Sequence, residues 1–243
     1  PCRVDLPEQG VEIRRDEPVG RADCAYCSFI SASGSANRLI PAYLDALFGE
    51  IDAAGEAARR AGKTVRTVYI GGGTPTTLAP DQLKALLDRL HTVFDLAPGT
   101  EFTVEAGRPD TITREKLEAI RDGGGNRISV NPQTMSDLVL ETIGRSHRAE
   151  DIRQAYALAR EVRVGAINMD LIAGLPADTP AGFAATLDEV IGMDPENITV
   201  HTLALKKGAR LRQENVTLPS GEDVARMLDF AWSALRAAGY QPY

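Results

Sequence analysis

One stretch of this chain decides its fold: Tyr69-Ile70-Gly71-Gly72-Gly73-Thr74-Pro75-Thr76. An apolar, β-prone run over residues 65–70 leads into three consecutive glycines, which permit a turn that side chains would obstruct. Such a turn lets backbone amide groups approach a bound ligand closely. A glycine triplet also fits an ordinary tight turn, so the stretch predicts a strand followed by a backbone-lined loop and leaves the ligand open.

The sequence after residue 64 alternates short β-rich runs with longer helical patterns, which is typical of repeated βα units around a parallel sheet. The predicted strands are residues 65–70, 101–105, 127–130, 166–172 and 197–203, and the clearest helices are 41–61, 82–94, 116–122 and 222–238. An earlier strand over residues 11–19 would make six units, although the charged residues 14–17 depart from the apolar character of a buried parallel strand. We therefore predict an α/β fold, a partial, open (β/α)6 TIM-like barrel in a single domain spanning residues 1–243.

A second motif precedes this region: Cys24-Ala25-Tyr26-Cys27-Ser28-Phe29. Two cysteines at this spacing offer thiolates to an iron–sulfur cluster, a zinc ion or a redox dithiol, so the spacing alone does not choose among them. The chain has three cysteines, too few and too odd in number for a secreted disulfide framework. Together with the glycine turn, the motif favours a cluster beside a small polar cofactor.

The composition argues against nucleic acid and membrane partners. Lys and Arg number 27 against 34 Asp and Glu, which gives a net charge of −7, with no basic block or aromatic-interleaved stripe. No apolar run approaches the roughly 20 residues that span a bilayer, and the first residues lack the hydrophobic region of a signal peptide. We therefore expect a cytoplasmic protein.

Unusual polar residues lie where the predicted strands end, namely Glu105, Gln133 and, within a strand, Asp170. In a parallel barrel the functional residues cluster where strands end and βα loops begin. We therefore expect the glycine turn, Glu105, Gln133, Arg145 and Asp170 to line one cavity at the C-terminal mouth of the barrel, with their side chains pointing inward.

In these motifs the chain resembles the radical S-adenosylmethionine superfamily, and within it the oxygen-independent coproporphyrinogen III oxidase (dehydrogenase) group. The resemblance extends over nearly the whole chain from about residue 18 and rests on segments 24–29, 70–76, 104–106, 126–133, 144–145 and 168–176. Residues 131–135 and 200–206 are most similar to the coproporphyrinogen dehydrogenase branch. We expect residues 1–17 to match the family poorly and the family's C-terminal domain to be absent from this chain.

The resemblance implies a [4Fe–4S] cluster and S-adenosylmethionine as cofactors of a radical enzyme that decarboxylates propionate side chains of a tetrapyrrole in haem biosynthesis. By resemblance, Cys24 and Cys27 are metal ligands, and Tyr26 shields the cluster near the adenine. The implied cofactor contacts are the backbone of Gly71, Gly72, Gly73 and Thr74 to the methionine end, Glu105 and Asp170 to ribose or amino groups, Gln133 to further polar groups, and Arg145 to the carboxylate. The implied partners are a tetrapyrrole substrate and an electron donor such as flavodoxin or ferredoxin.

One position departs from the family pattern Cys-x-x-x-Cys-x-x-Cys. Counting four residues back from Cys24 reaches Gly20, where the first cluster cysteine is expected, and glycine has no ligating atom. Cys2 is the remaining thiol, and its distance in sequence makes it an improvised third ligand at best. We therefore expect weak or substoichiometric iron and little cleavage of S-adenosylmethionine.

Each residue assignment has an alternative that needs no ligand. Glu105 and Asp170 would then be helix-capping or surface carboxylates, Arg145 and His147 would be solvated residues before a helix, and His201 would be a hydrogen-bonded core residue. At the level of function, the alternatives are a haem-binding, chaperone-like relative on the same barrel and a cluster-deficient, inactive barrel.

Overall fold

The computed structural model describes residues 25–26, 38–207, 209–214 and 216–242. Within this part of the chain, five strands alternate with helices. The elements are, in order, α1 (Ile40–Arg60), β1 (Val65–Ile70), α2 (Pro80–Val93), β2 (Leu96–Glu105), α3 (Arg114–Asp122), β3 (Arg127–Gln133), α4 (Asp137–Thr142), α5 (Ala149–Val162), β4 (Ala166–Ala173), α6 (Pro180–Gly192), β5 (Asn197–Thr202), α7 (Arg210–Gln213) and α8 (Gly221–Ala237). Short 3-10 turns over Pro75–Thr77 and Pro109–Thr111 follow β1 and β2.

The strands form one parallel sheet in the order β1-β2-β3-β4-β5, so each strand pairs with the next one along the chain. Sequential parallel pairing with helical crossovers curls the sheet into a half-barrel, which confirms the predicted fold class. The expected additional strand over residues 11–19 lies outside the described residues.

The two faces of the sheet differ in polarity because successive side chains of a strand point to opposite sides. Val104, Ile128 and Ile167 lie on the face that packs against the helices, and each is at most 1% exposed within the hydrophobic core. Burying an aliphatic side chain of this size contributes about 1.5–3 kcal/mol, so this layer holds the helices on the sheet. The opposite, concave face carries polar residues such as Ser129 and Asn168.

Side chains cap the N-termini of α6 and α8. The hydroxyl of Thr179 accepts the N–H of Gly182 at 3.0 Å and caps α6 directly after β4. Ser220 and Asp223 cap α8 reciprocally, since the Ser220 hydroxyl accepts the N–H of Asp223 at 3.1 Å and the Asp223 carboxylate accepts the N–H of Ser220 at 3.2 Å.

Strand β2 and two short helices differ from the sequence-based predictions. Strand β2 begins at Leu96 rather than at residue 101, and its pairing with β1 is irregular between Val65 and Thr67. The short helices α4 and α7 were not predicted, because segments of six and four residues show too little periodicity to be recognised. No helix among the described residues is long and apolar enough to cross a membrane.

Candidate functional site

The concave face brings polar residues of neighbouring strands side by side. Glu105 of β2 is in register with Ser129 of β3, and Ser129 is in register with Asn168 of β4. Two residues further along β4, Asp170 pairs with Thr199 of β5. Because residues two apart share a face of a strand, these side chains form a polar surface opposite the apolar core. That arrangement is unusual for a parallel sheet, whose strands are commonly apolar on both faces.

Glu105 connects this surface to the glycine turn after β1. Its Oε1 accepts a hydrogen bond from Asn131 Nδ2 at 3.0 Å, and its carboxylate also accepts the backbone N–H of Gly72. A Cβ on Gly71 would lie 2.8 Å from Glu105 Oε2 and 2.4 Å from the Tyr69 ring, so a side chain there would displace both groups. Gly72 has φ of +105°, a conformation that other residues rarely adopt. The three glycines thus bring the turn's backbone against a carboxylate.

The surroundings of Glu105 raise the pKa of its carboxyl group. Burial raises the pKa of its carboxyl group, and the negative charge of Asp170 raises it further. The Gly72 N–H, the Asn131 amide and the positive charge of Arg145 act in the opposite direction. Two carboxylates and one guanidinium therefore interact across this surface, a charge set that complements a ligand with both amino and carboxylate groups.

Arg145 lies between α4 and α5 and connects two distant segments. Its Nη1 donates to the Gly107 carbonyl at 2.9 Å, and its Nη2 donates to the Tyr26 hydroxyl at 3.0 Å. The segment of Tyr26 is fixed in turn by its neighbour Ala25, whose N–H donates to Ile143 O at 2.9 Å and whose carbonyl accepts the N–H of Leu211 at 2.8 Å. The described part of the cysteine motif therefore lies beside Arg145.

The cysteines themselves are outside the described residues, as are Gly20 and Cys2. Cys24 and Cys27 remain predicted metal ligands on the strength of the sequence alone. Within the described ranges, no group of three or more His, Cys, Asp or Glu residues could hold a metal ion.

Gln133 occupies a strained position at the end of β3. Its φ is +68°, in the left-handed region that non-glycine residues seldom adopt, and it is 6% exposed. Its Nε2 donates to the Asn131 carbonyl at 3.5 Å, and the pairing between β3 and β4 shifts between Val130 and Gln133. Strain of this kind persists only where surrounding structure enforces it and is common at binding sites.

The predicted site residues border two different cavities. Gly71, Gly73 and Thr74 border an apolar cavity of about 530 Å³ between α1 and β1, whereas Arg145 borders a cavity of about 670 Å³ beside α4 and α7. The expectation that the glycine turn and Arg145 line one cavity is therefore wrong for these two cavities. Glu105 borders neither of them, although it contacts the glycine turn and lies within electrostatic range of Arg145 and Asp170.

Several ligand-independent alternatives are wrong. Neither Glu105 nor Asp170 caps a helix, since both lie within strands on the concave face. His147 is 5% exposed rather than solvated, and burial followed by the charge of Arg145 lowers its pKa to about 4. His201, expected in the core, is exposed near the end of β5.

Sequence reasoning missed Tyr69 and the buried polar residues of the concave face. Tyr69 is 60% exposed, and partial desolvation, followed by the charges of Glu105 and Asp170, raises its pKa. The missed signal is a polar-apolar-polar triplet that recurs in adjacent strands as Thr103-Val104-Glu105, Ser129-Val130-Asn131 and Asn168-Met169-Asp170. Such a triplet predicts a strand with one polar face.

Comparison with known proteins decides the family. A family model described as the Radical SAM superfamily matches residues 20–190, which is more than half of the chain. The chain belongs to the radical SAM superfamily. Members of this superfamily use a [4Fe–4S] cluster and S-adenosylmethionine, the two cofactors that the resemblance implied.

Some relatives of this radical SAM protein are named after coproporphyrinogen oxidase, and others are named haem chaperones. It is 37% identical over 225 residues to the oxygen-independent coproporphyrinogen-III oxidase-like protein HemZ of Bacillus subtilis, covering 90% of this chain and 45% of HemZ. It is 33% identical over 225 residues to a protein of the same organism named heme chaperone HemW, covering 90% of this chain and 58% of HemW.

The fold is similar to that of a solved structure, the coproporphyrinogen III oxidase HemN of Escherichia coli, a radical SAM enzyme. The TM-score is 0.79 at 30% identity, covering 90% of this chain and 50% of that one. The chain thus spans about half the length of the relatives it matches.

Proposed function

We propose that this domain binds S-adenosylmethionine on its concave face, beside an iron–sulfur cluster held by Cys24 and Cys27, and serves an oxidative decarboxylation of the coproporphyrinogen III dehydrogenase type. The observation that carries the proposal is the position of Glu105, whose carboxylate contacts the glycine turn and interacts electrostatically with Asp170 and Arg145. A ligand with an amino group, a carboxylate and ribose hydroxyls complements these groups.

The residues present fit this ligand. Three consecutive glycines leave the turn without side chains, so its backbone can approach a ligand closely. In the proposal, the backbone of residues 71–74 binds the methionine end, and Glu105 and Asp170 bind amino or ribose groups. Arg145 binds the carboxylate, Gln133 adds a polar contact, and Tyr26 covers the cluster side.

The cluster and S-adenosylmethionine, when bound, supply the one-electron chemistry that removes hydrogen from the propionate side chain. The chain's own residues bind and orient the cofactor. The hydrogen bond from Arg145 to Tyr26 joins the cysteine segment to the mouth of the half-barrel, so that the proposed cofactor site is covered on that side. Gly72 and Asn131 hold Glu105 in one orientation.

Binding of S-adenosylhomocysteine, measured by isothermal titration calorimetry on anaerobically reconstituted protein, tests the site. Glu105→Gln and Asp170→Asn should each weaken binding by about tenfold or more, because each removes a charged hydrogen-bond acceptor. Glu101→Gln is the matched control, since Glu101 lies on the same strand with a side chain that is 55% exposed. Binding by wild-type protein that is insensitive to both site substitutions would reject the proposed site.

A second candidate is a haem-binding, chaperone-like function on the same barrel. It is favoured by the 33% identity to a protein named heme chaperone HemW. Two assays of the reconstituted protein separate the two: incubation with coproporphyrinogen III, S-adenosylmethionine and a reductant, and a separate titration with haem. Decarboxylated porphyrinogen supports the enzyme, whereas stoichiometric haem binding without any decarboxylated product supports the chaperone.

A further inference from the structure

Three polar side chains of the concave face are buried although direct ligand binding does not require it. Ser129, Asn131 and Asn168 are 1%, 6% and 4% exposed. Burying such groups costs about 1–3 kcal/mol each unless they are hydrogen-bonded. Each of the three is bonded to another, and the chain of bonds that they form ends on Glu105 and Asp170.

Asn168 is the branch point of this chain. Its Nδ2 donates to Asp170 Oδ1 at 2.6 Å and to Ser129 Oγ at 2.7 Å, so both amide hydrogens are used. Its Oδ1 accepts a hydrogen bond from Thr199 Oγ1 at 3.0 Å, which fixes the orientation of the amide. The opposite orientation would place Oδ1 against the Asp170 carboxylate, where two acceptors would repel each other.

The hydrogen bonds from Asn168 form two arms. The first is the single bond to Asp170, and the second leads through Ser129 and Asn131 to Glu105. The Ser129 hydroxyl accepts from Asn168 and donates to Asn131 Oδ1 at 2.7 Å. Asn131 Nδ2 then donates to Glu105 Oε1 at 3.0 Å. In this arm each donor lies on the Asn168 side and each acceptor on the Glu105 side. Both arms end with an amide N–H that donates to a carboxylate.

We infer that Asn168 is a positioning residue, which fixes Asp170 directly and Glu105 through Ser129 and Asn131, so that the two carboxylates meet the ligand as one rigid pair. The inference rests on the proposed function, since it assigns the pair a common ligand. Packing alone does not explain the network, because apolar residues of similar volume would fill the same space without the cost of burying polar groups.

The first test is S-adenosylhomocysteine binding by calorimetry on the reconstituted full chain. Asn168→Leu, which keeps the volume and removes both donors, should weaken binding at least tenfold, and Ser129→Ala should weaken it about threefold to tenfold. Thr103→Val is the matched control. Thr103 is 0% exposed on the same face of β2, and its hydroxyl contacts Glu101 and Arg127 rather than the carboxylate pair. It should change binding less than twofold.

A double-mutant cycle separates positioning from a general structural effect. Because Ser129 acts through Glu105, the loss caused by Ser129→Ala should disappear in a Glu105→Gln background and persist in an Asp170→Asn background. An equal loss in both backgrounds, or the same loss for Thr103→Val, would overturn the inference. Ser129→Ala removes a single hydroxyl group, so the test remains available if Asn168→Leu fails to fold.

A ligand-independent measurement distinguishes failure of this inference from failure of the proposed function. Carboxyl carbon NMR titration of the unliganded chain should show the pKa of Glu105 rising in both Ser129→Ala and Asn168→Leu and staying unchanged in Thr103→Val, because a weakened hydrogen bond from Asn131 favours the protonated form. If wild-type protein does not bind S-adenosylhomocysteine but the pKa of Glu105 shifts in both variants, the proposed function fails and the positioning role stands. If binding occurs and the pKa of Glu105 moves in neither variant, the positioning role is wrong.

Discussion

The carboxyl group of Glu105 has a raised pKa, chiefly because of burial and then because of the negative charge of Asp170. The folded state therefore favours the protonated form relative to the unfolded state. The stabilisation that this difference gives is complete below the ordinary pKa of 4.5 and is lost as the pH rises through the raised value. At neutral pH the ionised group lowers the free energy of unfolding while it provides a binding charge.

Glu105→Gln should therefore raise the melting temperature near pH 7.5 by roughly 1–3 °C, the range expected when partial solvent exposure limits the effect to less than about 1 kcal/mol. The gain should vanish near pH 4, where the wild-type carboxyl group is protonated as well. Thermal unfolding followed by circular dichroism at both pH values measures it, with Glu101→Gln as the control. A lower melting temperature at neutral pH would mean that the bonds from Gly72 and Asn131 outweigh the cost of burial.

The effect of having glycine at position 20 can be tested by a single substitution. Two thiolates should hold a [4Fe–4S] cluster less firmly than three, so Gly20→Cys should raise both the iron content after anaerobic reconstitution and the cleavage of S-adenosylmethionine. Iron and sulfide analysis with chromatography of the cleavage products measures the change. A full cluster and undiminished cleavage in the unaltered chain would contradict the prediction. Loss of that cluster in Cys2→Ala would then identify Cys2 as the third ligand.

The element that links β1 to the site is the glycine turn. Gly71→Ala places a Cβ against the Tyr69 ring and the Glu105 carboxylate, and overpacking of this kind should lower the free energy of unfolding by about 1–3 kcal/mol. Chemical denaturation measures the loss. Gly73→Ala is the control for stability, because a Cβ there meets nothing within 4 Å. Equal losses for the two substitutions would show that crowding at Gly71 is not the cause.

Elements with strong periodicity were predictable, and those shaped by their neighbours were not. The prediction for β1 coincides with the observed strand Val65–Ile70, since its apolar run is bounded by clear turn residues. The extension of β3 to Gln133 was missed because Pro132 interrupts the pattern and Gln133 adopts a positive φ. That conformation depends on the packing around it, which no local pattern encodes.

At the scale of the whole molecule, ligand binding should stabilise the fold, because a ligand that binds only the folded state adds free energy through mass action. S-adenosylhomocysteine at 100 times its dissociation constant should contribute about 2.7 kcal/mol, which corresponds to a rise in melting temperature of roughly 5–11 °C for a chain of this size. Differential scanning calorimetry measures the rise. The same concentration should have a much smaller effect on Asp170→Asn, and equal rises in both proteins would place the ligand elsewhere.

The sequence by itself determined the order of the βα units and the chemistry at the strand ends, because strand period, helix period and glycine turns are local properties. The tertiary structure alone decided which of those residues meet. Arg145 and Tyr26 are hydrogen-bonded although 119 positions separate them, and Asn168 reaches Ser129 across 39. Pairing of the strands in register places alternate residues of neighbouring strands side by side on the concave face. This placement connects Glu105 and Asp170 through a chain of buried polar side chains.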